Sequence, residues 1–180
     1  MKTRSQKFCI LLLLSLTFCS KDSSKEQVQN QEIDNYEFEE LGSDAPYIYG
    51  QSYNGRNAYT TYYPGNIPII LSIPHGGDIS PSEISNRTYG VTVTDSNTIE
   101  LGMAISNYLF SNYSIRPYIV VNNLKRTKLD ANRDKTEAAQ GNIFAERAFD
   151  EFHYYISSAR EEIIKNFNTG LLFDIHGHGA

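Results

Sequence analysis

Cysteine is nearly absent from this chain of 180 residues, and its two cysteines, Cys9 and Cys19, both lie close to the amino terminus. The rest of the sequence therefore offers no cysteine nucleophile, no disulfide and no cysteine-ligated zinc site. Tryptophan is absent as well. An excess of basic residues is also lacking, because 21 acidic residues outnumber 16 lysines and arginines and give a net charge of −5. Nucleic acid is therefore not expected as a partner.

The first nineteen residues have the order of charged and apolar residues that is typical of an export signal. Basic residues at positions 2, 4 and 7 precede the apolar segment 8–16, which is too short to remain as a membrane span. The following Leu16-Thr17-Phe18-Cys19 resembles the lipobox of bacterial lipoproteins, except that Phe18 stands where a small residue is usual. We therefore expect lipid attachment at Cys19 and a membrane-anchored protein of the cell envelope, on the periplasmic side or at the outer membrane. Ordinary secretion is the alternative.

Polarity divides the rest of the chain into a tether and one folded domain. Residues 20–45 are rich in Gln, Asn, Ser, Lys and Glu and show almost no apolar periodicity, which predicts a disordered tether. Residues 46–180 are expected to form the domain. Strands or strand pairs are predicted at Tyr47–Tyr63, Ile67–Ile73, Pro117–Val121 and Leu171–Asp174, and helices at Thr98–Phe110 and 141–167. This alternation predicts an α/β fold with a layered sheet and right-handed crossovers.

Two histidines follow directly after predicted buried strands. His75 lies in Pro74-His75-Gly76-Gly77-Asp78, and His176 lies in Asp174-Ile175-His176-Gly177-His178. Side chains at the carboxyl ends of strands line the ligand crevice of an open α/β sheet, and two histidines with a nearby carboxylate suit a catalytic zinc site. A solvated histidine in a tight turn, or a structural histidine at a strand end, is the alternative for each.

Two further segments carry polar residues that suit such a site. Asp95 and Ser96 precede a predicted helix. Either of them could be the N-cap of that helix, which would contribute about 1 kcal/mol. The alternative for Asp95 is a carboxylate that faces the site. The loop after the predicted strand Pro117–Val121 carries Arg126, Asn132 and Arg133. It is either a solvated loop or a place where a substrate carboxylate binds, because the arginine fork bonds a carboxylate through two parallel N–H groups.

Taken in order, four segments of the chain resemble the N-formylglutamate amidohydrolase family. They are the Pro-His-Gly-Gly segment at 74–77, an Asp-x-x-Thr-x-x-Leu segment from Asp95, a Leu-Asp-x-Asn-Arg segment from Leu129 and the Asp-x-His-Gly segment at 174–177. The resemblance spans residues 65–180. It implies a three-layer αβα sandwich with a mostly parallel mixed sheet, similar to that of zinc carboxypeptidases and related phosphorylase/hydrolase folds, and one zinc ion.

The resemblance also implies the ligands of that zinc ion. His75 and His176 would be two of them, and Asp95, which matches the family's own aspartate segment, would be the third. Asp78 is the alternative third ligand, because His75-x-x-Asp78 has the spacing of the paired ligands in zinc carboxypeptidases. His153 is expected to be a packing or surface residue of the long helix.

The implied activity is zinc-dependent hydrolysis of an amide bond by metal-activated water. The substrate would be an N-acyl amino acid or a peptide-like amide. Arg126, Asn132 and Arg133 are expected to bind it, through its carboxylate or its carbonyl oxygen, and Arg133 and Asp174 are the expected catalytic residues.

The residue that transfers protons lies downstream of the last zinc ligand in carboxypeptidase-like enzymes. This sequence runs only to Ala180, and neither Glu83 nor Glu100 matches such a residue. We therefore expect a fragment or a truncated gene product of low activity. The alternative to an enzyme is a non-catalytic lipoprotein relative that binds a metal or a partner.

Overall fold

The computed structural model describes residues 40–42 and 45–177, and every structural statement below concerns these residues. The predicted export signal, Cys19, most of the predicted tether and His178 lie outside them. The described residues form five strands and three α-helices. None of these helices combines the length and the hydropathy that a membrane span requires.

Strands and helices alternate along the chain, broadly as the sequence predicts. The strands are β1 (Tyr53–Asn54), β2 (Thr60–Tyr63), β3 (Ile69–Ile73), β4 (Tyr118–Asn122) and β5 (Leu171–Asp174). The helices are α1 (Thr98–Tyr113), α2 (Lys135–Ala139) and α3 (Ile143–Phe167). A single turn of 3-10 helix lies between β1 and β2.

The five strands form one mixed sheet in the order β1-β2-β4-β3-β5. The pairings of β4 with β3 and of β3 with β5 are parallel, whereas β1, β2 and β4 are joined by antiparallel pairings. The predicted α/β class is thus confirmed, and the predicted strand pair within Tyr47–Tyr63 is β1 with β2. The expectation of a mostly parallel sheet is wrong for the described strands, because β1 and β2 add to β4 in antiparallel orientation and two of the four pairings are therefore antiparallel. Because β3 lies between β4 and β5, the residues that follow β3 emerge between two parallel neighbours.

Local hydrogen bonds explain where element boundaries differ from the prediction. β3 begins at Ile69 rather than at Ile67, because the Ile67 carbonyl accepts from the N–H of Ile69 in a tight turn. α3 begins at Ile143, where the Asn142 side chain accepts from the N–H groups of the second and third helical residues. The short helix α2 escapes prediction because five residues show too little periodicity.

Alternate residues of β3 and β4 belong to two separate hydrophobic clusters. The larger cluster contains residues of α3 such as Phe152 and Tyr155, together with the strand residues Ile70, Tyr118 and Val120. The smaller cluster contains residues of α1 such as Ile99 and Met103, together with the strand residues Leu71, Ile73, Ile119 and Val121. Since adjacent strand residues point to opposite faces, each face of β3 and β4 is covered by one cluster.

The edge strand β5 differs from the inner strands in its exposure. Its apolar residues Leu171, Leu172 and Phe173 are 61%, 43% and 48% exposed. Within the described residues, β5 pairs with β3 on one side only. The segment that carries His176 therefore leaves the sheet at its outer edge.

Candidate metal centre

The ends of β3 and β5 and the loop before α1 bring three polar side chains together. His75 follows β3, and His176 follows β5, whose pairing with β3 continues through a 2.8 Å hydrogen bond from the Ile175 N–H to the Ser72 carbonyl. Asp95 lies in the loop before α1, and its N–H donates to the His75 carbonyl at 3.0 Å. These backbone bonds fix the three residues at one end of the sheet.

Two glycines after His75 allow its loop to run against neighbouring parts of the chain. A Cβ atom at Gly77 would occupy the space of the Asn123 backbone, and one at Gly76 would collide with the Thr98 side chain. Only glycine, which lacks a Cβ atom, permits so close an approach at these two positions. The approach holds the loop after β3 against the loop after β4.

The three side chains direct one donor atom each toward a common point. The His75 Nδ1 atom lies 3.2 Å from His176 Nδ1 and 3.4 Å from Asp95 Oδ2, and the distance from His176 Nδ1 to Asp95 Oδ2 is 3.2 Å. A tetrahedral zinc ion with ligand distances of about 2.0–2.2 Å separates its ligand atoms by about 3.3–3.6 Å. The spacing of the three donors therefore fits a small tetrahedral metal ion.

A buried carboxylate holds the second ring nitrogen of His75. His75 Nε2 donates to Asp130 Oδ1 at 2.6 Å, and the two side chains are only 2% and 0% exposed. An ionised carboxylate only accepts hydrogen bonds, so this contact places a ring proton on Nε2 and makes Nδ1 the nitrogen that faces the site. Metal-binding histidines commonly have such a carboxylate partner, which fixes their tautomer and orientation.

Two buried arginines surround Asp130. Arg126 Nε donates to Asp130 Oδ2 at 2.9 Å, and Arg87 Nη1 lies 3.8 Å from the same oxygen. Arg126 Nη1 also lies 3.4 Å from Asp95 Oδ1. Arg87 in turn donates to the backbone carbonyls of Val91 and Arg126. These positive charges offset part of the cost of burying the two carboxylates.

The surroundings keep both carboxylates ionised. Burial raises the pKa of Asp130, but the hydrogen bonds and charges of His75 and Arg126 outweigh it and bring that pKa to about 2. Burial also raises the pKa of Asp95, but hydrogen bonds from residues 176–177, with the charges of His75 and Arg126, lower it below its usual value. Both carboxylates are therefore anionic near neutral pH, as a cation site requires.

His176 is more open than His75, because its side chain is 41% exposed. Its Nε2 lies 3.2 Å from Asn132 Nδ2, and the neighbouring Gly177 N–H donates to Asp95 Oδ2 at 3.1 Å. The amide of Asn132 carries both a donor and an acceptor, so it can serve either neutral tautomer of the histidine. The solvent-facing side of the cluster is the His176 side.

The expectation that Asp95 or Ser96 caps α1 is wrong. Asn97 occupies the cap position in a left-handed conformation with φ of 62°, and it makes no side-chain capping bond. The Asp95 carboxylate is turned toward His176 instead, while the Asp95 carbonyl accepts from the Thr98 hydroxyl at 3.0 Å. Asp95 is a residue type that commonly caps helices, but here its carboxylate contacts His176 of the candidate site.

Two other carboxylates considered from the sequence lie elsewhere. Asp78 is exposed and does not belong to the cluster of His and Asp ligand atoms in the described part of the chain. Glu83 accepts from Arg56 through both oxygens, at 2.6 and 3.0 Å, and also from the Tyr59 hydroxyl. Asp95 rather than Asp78 therefore lies with the two histidines, although its role as a ligand stays a prediction.

The remaining residues with predicted roles lie around the cluster. Arg133 is 45% exposed and 3.7 Å from Glu137, and it lines an open depression of about 330 Å³ with Asn132 and His153. Burial lowers the pKa of His153. A hydrogen bond to the Ala131 carbonyl and nearby carboxylates, including the exposed Asp174 at the end of β5, raise that pKa by less. The catalytic roles of Arg133 and Asp174 stay predictions.

Sequence reasoning assigned no role to Asp130 and overlooked Arg87. Asp130 stands four residues after Arg126. Side chains with this spacing come together in a helical turn but not in an extended chain, and the sequence does not predict a turn there. The structure has such a turn, closed by the Lys128 N–H and the Lys125 carbonyl at 2.7 Å. Arg87 lies in an irregular loop, and no local pattern marks it as buried.

Comparison of the chain with protein-family models, with curated proteins and with solved structures gave no match. The resemblance to the N-formylglutamate amidohydrolase family therefore stays a prediction from the sequence motifs. What the structure adds independently is the arrangement of His75, Asp95 and His176, whose ligand atoms lie within a few ångströms of one another.

Proposed function

We propose that this protein is a zinc-dependent amidohydrolase that cleaves an N-acyl amino acid or a peptide-like amide. The observation that supports this most is the approach of His75 Nδ1, Asp95 Oδ2 and His176 Nδ1 to within 3.4 Å of one another. Two histidines and one carboxylate are the ligand set of many catalytic zinc sites, which keep a further position open. With the ordered sequence motifs, this observation supports membership of the N-formylglutamate amidohydrolase family.

The proposal includes the finer description of the fold. One hydrophobic cluster joins the inner strands to α3 and the other joins them to α1, which supports a three-layer αβα sandwich of the carboxypeptidase type. In sheets of this kind, ligands bind beyond the carboxyl ends of the parallel strands. His75 and His176 follow the carboxyl ends of β3 and β5.

The residues present fit a zinc ion. The donors are two imidazole nitrogens and one carboxylate oxygen, and His75 has the carboxylate partner, Asp130, that fixes a metal-binding tautomer. A bound zinc ion would supply Lewis acidity and a nucleophilic water near neutral pH. Because two histidines and one carboxylate also bind Fe(II) in non-haem enzymes, metal analysis must identify the ion.

The protein's own residues would orient the substrate on the open side of the cluster. Asn132 contacts His176, and the half-exposed guanidinium of Arg133 follows it along the chain. A guanidinium binds carboxylates through a planar fork and stabilises developing oxyanion charge. We therefore assign substrate binding to Asn132 and Arg133, and we keep Arg133 and the exposed Asp174 as the proposed catalytic residues.

The predicted export signal bears on the substrate. N-formylglutamate belongs to histidine breakdown in the cytoplasm, whereas the leader directs this chain to the envelope. A peptide or cell-wall amide fits an exported, lipid-anchored enzyme better.

A non-catalytic, metal-binding lipoprotein is the second candidate, and one observation favours it. Both carboxylates that contact the histidines, Asp95 and Asp130, are also bonded to Arg126. Each is therefore held as an anion and is poorly suited to exchanging protons with a substrate. The two candidates share the metal site and differ in turnover.

Metal content and hydrolysis together test the proposal. The purified protein should bind about one zinc ion per chain, and the double variant His75→Ala/His176→Ala should bind none, by elemental analysis after dialysis. The zinc-loaded protein should release amine from N-acyl amino acids or short peptides, and Arg133→Ala should lose this activity. Stoichiometric zinc in the double variant would overturn the site, and zinc binding without hydrolysis would favour the non-catalytic candidate.

A further inference from the structure

Arg126 links the two carboxylates of the candidate metal centre. Its Nε donates to Asp130 Oδ2 at 2.9 Å, and its Nη1 lies 3.4 Å from Asp95 Oδ1. The residue is 7% exposed, and Nη1 also lies 3.4 Å from the Val93 carbonyl. One guanidinium group is thus fixed between two loops that come from distant parts of the chain.

The other oxygen of each carboxylate contacts a histidine. Asp130 Oδ1 accepts from His75 Nε2 at 2.6 Å, and Asp95 Oδ2 lies 3.2 Å from His176 Nδ1. The contacts therefore run from His75 through Asp130, Arg126 and Asp95 to His176. Because a carboxylate is planar and rigid, a rotation that breaks its contact with the guanidinium also moves the oxygen that faces the histidine.

We propose that Arg126 is a positioning residue, which holds Asp95 and His75 in the arrangement that binds metal, and not a residue that contacts the substrate. This inference rests on the metal site of the proposed function. Without the guanidinium, Asp95 loses the partner of its outer oxygen, and Asp130 loses the bond that directs its other oxygen to His75. Two of the three donors then lose their orientation, and partners of this kind typically contribute about 10–100-fold to metal affinity.

The two contacts of Arg126 need an arginine. A guanidinium presents its N–H groups in a rigid plane, so Nε and Nη1 each serve a different carboxylate. A lysine ammonium is a single point charge on a flexible stem, and it would keep the positive charge without both contacts. The variant Arg126→Lys therefore separates a role in charge compensation from a role in positioning.

Arg87 keeps the buried charge compensated when Arg126 is changed. Its Nη1 lies 3.8 Å from Asp130 Oδ2, and its side chain is 1% exposed. The variant Arg126→Lys thus retains two cations near Asp130, and we expect it to fold. Lys125 provides the matched control, because it precedes Arg126, carries the same charge and is exposed.

Binding of Zn²⁺ and Co²⁺ to the purified protein, without any substrate, tests this proposal. Competition with a chromophoric chelator gives the dissociation constants, and the visible absorption of bound Co²⁺ reports the ligand geometry. Lys125→Gln should match the wild type in both. Arg126→Lys should bind both ions about 10–100-fold more weakly and with an altered Co²⁺ spectrum, while its circular dichroism and Tm stay close to those of the wild type.

A folded Arg126→Lys variant with wild-type affinity and spectrum would overturn the proposal and would favour a substrate-binding role for Arg126. If Arg126→Lys does not fold, Arg126→Gln, whose amide still donates hydrogen bonds, takes its place, and wild-type affinity there would overturn the proposal equally. Failure of the wild-type protein to bind either ion would instead reject the metal site of the proposed function, and this inference with it.

Discussion

The two histidines of the candidate metal centre are held in different ways. His75 follows the central strand β3 and is 2% exposed, and its ring is bonded to Asp130 at 2.6 Å. His176 follows the edge strand β5 and is 41% exposed, and its ring lies 3.2 Å from the amide of Asn132. One half of the site is therefore buried and hydrogen-bonded to charged groups, and the other half faces solvent.

This difference indicates that the two halves of the site contribute differently to folding stability and to metal affinity. The carboxylate and the two arginines next to His75 belong to the buried interior, so their removal should cost folding stability as well as metal affinity. The exposed segment after β5 carries the candidate ligand His176, which has few buried contacts, so its removal should cost mainly metal affinity. Bound metal stabilises the folded state by mass action. It should protect the edge strand β5 against local unfolding more than the buried strands.

The largest effect is expected from Asp130→Asn, because this change removes the charge that compensates two buried arginines. Loss of one partner of a buried ion pair typically costs about 3–5 kcal/mol, and urea denaturation should show a decrease of this size in the free energy of unfolding. The control is Asp150→Asn, in an exposed pair with Lys135, which should cost less than about 1 kcal/mol. Equal effects of the two variants would contradict the buried role of Asp130.

The direct comparison of the two halves uses His75→Ala and His176→Ala. Both variants should lose zinc binding. In the presence of a chelator, His75→Ala should lower the free energy of unfolding by about 1–3 kcal/mol. The buried Asp130 oxygen loses its 2.6 Å contact and keeps only the 3.3 Å bond from the Asn132 N–H. His176→Ala should stay within about 0.5 kcal/mol of the wild type. Equal destabilisation by the two variants would show that the halves do not differ as the structure indicates.

The donors of this site are easier to predict from the sequence than the groups that hold them. His75 and His176 each follow an apolar run directly, and the ends of parallel strands meet at one side of a sheet. The bond from His75 to Asp130 joins residues that are 55 positions apart. It depends on how the loop after β4 folds back, which no local pattern specifies.

That loop also explains why the role that we propose for Arg126 differs from the substrate-binding role predicted from the sequence, which stays untested. Its many charged residues favour a solvated loop or a substrate-binding loop. In the structure, Leu124, Leu129 and Ala131 belong to the larger hydrophobic cluster, and they carry the intervening Arg126 and Asp130 into the interior. The alternation of strands and helices was predictable because the two long helices are periodic and the strands are continuous apolar runs. Burial of this irregular loop, in contrast, depends on tertiary packing.

A smaller and more selective effect is expected at Asp95, the candidate third ligand. Asp95→Asn should weaken zinc binding more than Asp78→Asn, because the Asp95 oxygen lies 3.2 Å from His176 Nδ1 and Asp78 is exposed outside the cluster. Chelator competition with both variants measures the difference. A larger loss in Asp78→Asn would indicate a rearranged site with the paired ligands of carboxypeptidases.

The smallest effect concerns acid and the pair of Glu83 with Arg56, which holds the loop that leads from His75 toward Asp95. Hydrogen bonds from Arg56 lower the pKa of Glu83 below its usual 4.5, by more than burial raises it. A carboxyl with a lower pKa in the folded than in the unfolded state stabilises the fold above the unfolded value. It loses that contribution as the pH falls through the folded pKa.

In metal-free protein, Glu83→Gln should therefore lower the free energy of unfolding at neutral pH by about 1 kcal/mol or less. The difference from the wild type should shrink below pH 4.5. If the difference in the free energy of unfolding between Glu83→Gln and the wild type stayed constant from neutral pH to below pH 4.5, the charge of Glu83 would not contribute to stability.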